Sequence, residues 1–236
     1  MEEWVFFWQK LMEKQRFLEL SKKYTAVPVF RRLLADVLTP VSLFMNIREG
    51  ADYPFLLESV EGGEQLARYS FIGRNPYQQL KFDCKDTTLV KAGTIQVIKE
   101  PYFEELKKLT TAYSEPFLPE LPRLTGGAVG FSAYDTFRLV EHLPNVPKDD
   151  LNLPEANWAF YDEIFAFDHV KHQVVLIKTV FTEEVDDIDT AYESAQKSLD
   201  IMEEAVMHTD YSRRDFQIYP ETLKSNMLLD YFKSIV

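Results

Sequence analysis

The chain has 236 residues, 46% of them hydrophobic, enough to bury a sizeable core and to set it among globular rather than disordered proteins. A formal net charge of -12 argues against nucleic acid as a partner, because a backbone binder needs clustered Lys and Arg to displace counterions. Cys84 is the only cysteine, so neither an intrachain disulfide nor a multi-cysteine zinc site can form, and a reducing, cytoplasmic setting is expected.

At the amino terminus, Trp4 to Trp8 (WVFFW) follows acidic Glu2 and Glu3 and is too short for a signal core. No window approaches the length of a membrane span, so no membrane contact is expected. Trp4, Phe7, Trp8, Leu11 and Leu18 fall mostly at helical spacing, which predicts an amphipathic helix over residues 2–20. Its aromatic face would pack on its own domain or on a partner. Val27 to Phe30 look extended and predict a strand within 24–36. Thr39 followed by Pro40 starts a helix that runs through Leu43, Phe44 and Ile47 to a stop at Gly50.

The next stretch, Pro54 to Gly73, joins an apolar run to a carboxylate, a hydroxyl and a glycine turn. Phe55 to Leu57 predict a short buried strand, Gly62 and Gly63 permit a sharp reversal, and Arg68 to Ile72 alternate as a returning strand. This layout can gather the acceptor Glu58, the hydroxyl of Ser59 and the cation of Arg68 at the strand ends, the mix that a zwitterionic amino acid requires. The same residues also read as a surface ion pair beside a serine that satisfies a turn.

Asn75-Pro76 breaks the chain, and 77–99 predicts two or three strands in a meander covering one face of a core, with a turn at Lys91-Ala92-Gly93. Pro101 opens a helix carrying Phe103, Leu106 and Leu109, and Pro116, Pro119 and Pro122 mark a loop. The glycine cluster of Thr125 to Phe131 lacks the lysine of a phosphate-binding loop and the spacing of a dinucleotide fingerprint, so close backbone packing is its expected role. Residues 157–180 predict a hairpin turning at Asp168 to His172; His169 and His172 have no evident third ligand, and no metal is assigned. A helix with acids in its first turns spans 186–207, then an irregular connector spans 211–222. Leu228, Tyr231, Phe232 and Ile235 predict a last helix whose pattern is still running at Val236, which reads as a truncation.

The Leu56 to Ser59 LLES, the EGGE that follows, and ARYSFIG at 67–73 resemble the amino-terminal region of anthranilate synthase component I, a chorismate-utilising family. LTPVSLF at 38–44 and the glycine cluster leading to Tyr134 and Asp135 extend the resemblance. It implies an α+β fold, mainly antiparallel sheet with flanking helices, with a domain over 1–210 and a connector over 211–236 leading into a chorismate-binding domain that these residues lack. It also implies part of a feedback site for L-tryptophan: Glu58 and Ser59 at the polar end of the ligand, with Arg68, Tyr69 and Ser70 lining or bracing the pocket. The full subunit would convert chorismate to anthranilate and pyruvate with Mg2+, taking ammonia from a glutamine amidotransferase subunit. Aminodeoxychorismate synthase component I is the neighbouring alternative, and a self-sufficient amino-acid-binding module is the alternative outside the enzymes. No nucleophile elbow, zinc-protease motif or phosphate-loop sequence is present, so the residues alone do not compose a catalytic centre, and none is assigned a catalytic role.

Overall fold

The computed structural model describes residues 12–58, 68–83, 85–146, 148, 149, 152–209 and 233. In chain order the elements are α1 (Lys14–Leu20), β1 (Ala26–Leu34), α2 (Pro40–Ile47), β2 (Phe55–Leu57), β3 (Tyr69–Gly73), β4 (Gln78–Asp83), β5 (Asp86–Lys91), β6 (Thr94–Ile98), α3 (Tyr102–Thr110), β7 (Gly127–Ser132), a 3-10 turn (Tyr134–Leu139), β8 (Ala156–Tyr161), β9 (Glu163–Asp168), β10 (Gln173–Phe181) and α4 (Ile188–Met207). They form two five-stranded antiparallel sheets, ordered β1-β10-β9-β3-β2 and β6-β5-β4-β8-β7. This is the α+β arrangement expected, with helices flanking the sheets.

Local chemistry explains several element ends. Thr39 caps α2 through Ser42 N–H while the Ser42 side chain returns to the Thr39 N–H, and Gly50, at φ +70°, lets the chain leave the helix. Ala92 and Gly93 both take positive φ in the two-residue turn that joins β5 to β6, the backbone such hairpins require. Asp187 caps α4 by accepting from Thr190 N–H. The main core lies on the first sheet, where Leu199, Met202 and Val206 of α4 join Val27, Val29, Phe165 and Leu176. A smaller cluster of Leu80, Phe82, Tyr102 and Phe160 packs α3 onto the second sheet, so the meander makes up three strands of that sheet.

Two expectations are corrected. The helix predicted over 2–20 starts only at Lys14 within the described part. Met12 instead donates its N–H to the Phe30 carbonyl and accepts from the Tyr192 hydroxyl, contacts that hold it in extended chain. The forward arm of the hairpin predicted over 157–180 is two strands, β8 and β9, in different sheets, separated by Asp162. Lys178 Nζ lies 2.7 Å from Asp162 Oδ2 and 3.1 Å from Glu163 Oε1. Neighbours in a regular strand face opposite ways, so two adjacent carboxylates on one ammonium mark a break in the alternation. The β9–β10 hairpin with its turn after Asp168 does form. The connector at 211–222 and the helix predicted after it lie outside the described residues.

Candidate functional site at the end of β2 and β3

The short β2 pairs with β3 in antiparallel register, Leu56 opposite Ile72 and Leu57 opposite Phe71. Leu57 and Glu58 lie exposed where β2 ends. Ser59, Gly62 and Gly63 lie outside the described residues.

Across the sheet, β3 lies beside β9, with Tyr69 opposite Asp168 and Ser70 opposite Phe167. Arg68 does not pair with Glu58. Its guanidinium instead grips Asp168, Nε to Oδ1 at 3.1 Å and Nη2 to Oδ2 at 2.7 Å, and lies 4.8 Å from the centre of the Tyr69 ring. Asp168 is only 2% exposed, and Oδ1 also accepts the N–H groups of Val170 and Lys171. Burial pushes this carboxyl upward, but the Arg68 hydrogen bonds and charge and the two amides outweigh it and hold the group below the usual range. The Tyr69 phenol is raised, chiefly by burial and next by the Asp168 charge.

Ser70 sits on the other face of β3 from Tyr69, buried, with Oγ 2.7 Å from His169 Nε2. His169 N–H in turn donates to the Arg68 carbonyl. Arg68, Tyr69 and Ser70 therefore clasp the turn that follows β9, from both faces of the sheet. Tyr69 and Ser70 do not line one slot together.

Sequence reasoning placed Asp168 and His169 in a turn without their partners Arg68 and Ser70, and passed over Arg32. The first two sit about one hundred residues from their partners, a separation that no local pattern encodes; the only signal was an aspartate opening a turn, a residue type that accepts amides two and three positions on. Arg32 shares the Tyr69 face through the register Arg32–Val175, Val175–Ala166, Ala166–Phe71. Its Nη2 donates to the Glu120 carbonyl, while its buried Nε has no hydrogen-bond partner among the described residues, and burial lowers its pKa.

Three relatives decide the affiliation. The chain is 36% identical over 211 residues to anthranilate synthase component 1 of Acetivibrio thermocellus, covering 89% of this chain and 42% of that protein. It is 36% identical to the Geobacillus stearothermophilus protein of the same name, covering 68% of this chain and 32% of that one. With the chloroplastic anthranilate synthase alpha subunit 2 of Arabidopsis thaliana it shares 30% identity, covering 96% and 40%. This chain belongs to the anthranilate synthase component 1 family. The crystal structure of component I from Streptococcus pneumoniae TIGR4 matches the fold with a TM-score of 0.52 and 26% identity, over 76% of this chain and 37% of that one. No family model matches the chain. It thus spans about two fifths or less of the length of these anthranilate synthase relatives.

Among the described residues no three His, Cys, Asp or Glu side chains gather closely enough to hold a metal ion. No described helix is long and apolar enough to cross a membrane.

Proposed function

We propose that this chain is the effector-sensing and scaffolding part of an anthranilate synthase, with L-tryptophan as the feedback effector beside Glu58, where β2 ends and β3 begins. Similarity over 89% of the chain to 42% of a component 1 relative carries the reading, because it ties these residues to one part of a larger protein. In this reading chorismate and Mg2+ are handled by the rest of the family protein, and a glutamine amidotransferase subunit supplies ammonia, in the cytoplasm.

Each residue has its own task. Glu58, exposed at the end of β2, accepts from the effector's ammonium, and Ser59 donates to its carboxylate. Arg68 keeps its guanidinium on Asp168, so it and Tyr69 brace the site as Ser70 does from the opposite face. Feedback is then linkage: tryptophan shifts the enzyme only by the difference in its affinity for two arrangements. The binary test is an anthranilate fluorescence assay. With chorismate, ammonia and Mg2+, this chain alone should form no anthranilate, and an anthranilate synthase carrying it should form anthranilate and be inhibited by L-tryptophan. Product from this chain alone, or an active enzyme indifferent to tryptophan, would refute the reading.

A further inference from the structure

A cavity of about 250 Å³ opens between the two sheets, at the far end of β10 from the Arg68–Asp168 pair. The strand's nine residues run from Gln173, beside Asp168, to Phe181 at the cavity, eight steps or about 26 Å at roughly 3.3 Å per residue. It is a separate site.

Aromatic rings dominate its walls. Tyr113 and Tyr77 pack on Phe181 with ring centres 4.4 and 5.0 Å apart, and Phe160 and Tyr161 complete the set. The Tyr113 hydroxyl donates to Glu184 and the Tyr161 hydroxyl to the Tyr53 carbonyl, so both phenols spend their protons outside the cavity. Gly126 and Gly127 contribute no side chains, and a methyl group on Gly126 would come within 3.0 Å of the Tyr161 carbonyl oxygen.

Glu115 is the one charged side chain among the described residues that line this cavity. It accepts from the Thr125 hydroxyl and has no cationic partner among the described residues. Glu115 as a residue is exposed to solvent, and the partial desolvation of its carboxyl against the cavity wall, only partly offset by the Thr125 hydrogen bond, raises its pKa. A carboxylate among Tyr and Phe rings suits an organic ammonium, which gains from the ion pair and from the ring faces together.

We propose that this cavity binds a small primary amine carrying a single aromatic ring, with Glu115 as its counter-ion. Size favours one ring: benzene occupies a cavity of about 150 Å³, and a two-carbon ammonium tail fills the remainder. Among the described residues the lining contains no cation to meet a carboxylate, so the site rejects arylalkyl acids and amino-acid zwitterions.

Titration calorimetry on the 236-residue chain tests this with phenethylamine and 3-phenylpropionate as probes. Phenethylamine should bind saturably, 3-phenylpropionate should not, and L-tryptophan should fail to displace the amine. Glu115→Gln should weaken phenethylamine at least tenfold while the urea midpoint stays in place. Equal behaviour of the two probes, displacement by L-tryptophan, or unchanged affinity in the variant would overturn the proposal. Should Glu115→Gln not fold, the two probes on the unaltered chain still decide it.

Discussion

Arg68 and Asp168 form a two-point ion pair that ties the start of β3 to the end of β9, with the carboxylate buried and the guanidinium about one third exposed. Removing the cation leaves a buried charge that two backbone amides still hold. Arg68→Ala should therefore lower stability by about 2–3 kcal/mol, below the usual cost of breaking a fully buried pair because water reaches the vacated side. Asp168→Asn should cost less, about 1–2 kcal/mol. Urea unfolding midpoints at pH 7 check the order.

The same pair sets an acid limit. The folded carboxyl of Asp168 lies below its unfolded value, so its stabilisation is complete above the unfolded pKa and drains away as pH falls through the folded one. Wild-type stability should decline below about pH 4 more steeply than that of Asp168→Asn. Parallel pH–stability curves for the two proteins would contradict this assignment.

Gly130 lies in β7 opposite Trp158 of β8. A methyl group there would stand 2.7 Å from Trp158 Cα and collide with the Asn157 carbonyl, both backbone and unable to swing aside. Gly130→Ala should cost about 2–3 kcal/mol or detach β7. Gly93→Ala, in open space at φ +75°, should cost only about 1 kcal/mol. Thermal unfolding of both variants reads the difference.

Lys178 holds the point where the chain passes from one sheet to the other. Its ammonium is raised in pKa because Asp162 and Glu163 outweigh its burial, the largest single influence. Lys178→Met leaves two adjacent carboxylates facing each other and should cost about 2–3 kcal/mol, and adding Asp162→Asn should recover part of the loss. A double-mutant cycle measures the coupling.

How much of this was legible depended on range. Thr39-Pro40, Ala92-Gly93 and the acids before α4 are local signals, and the elements they predict formed where expected. The split at Asp162 escaped because hydrophobic alternation runs through it, and only Lys178 on another strand exposes the break. Arg68 invited pairing with Glu58, ten residues away, when its partner was Asp168 across the sheet, a choice fixed by the β3–β9 register. Glycines at 126, 127 and 130 signalled close backbone packing, and Gly130 against β8 provides it.

The effector account rests on Ser59 and Glu58, and the L-tryptophan inhibition curve of Ser59→Ala, in an anthranilate synthase carrying this chain, tests it most directly. Loss of one hydrogen bond to the ligand's carboxylate should raise the half-inhibiting concentration about tenfold, with turnover in the absence of tryptophan unchanged within about twofold. Superimposable curves for the variant and its parent would contradict it.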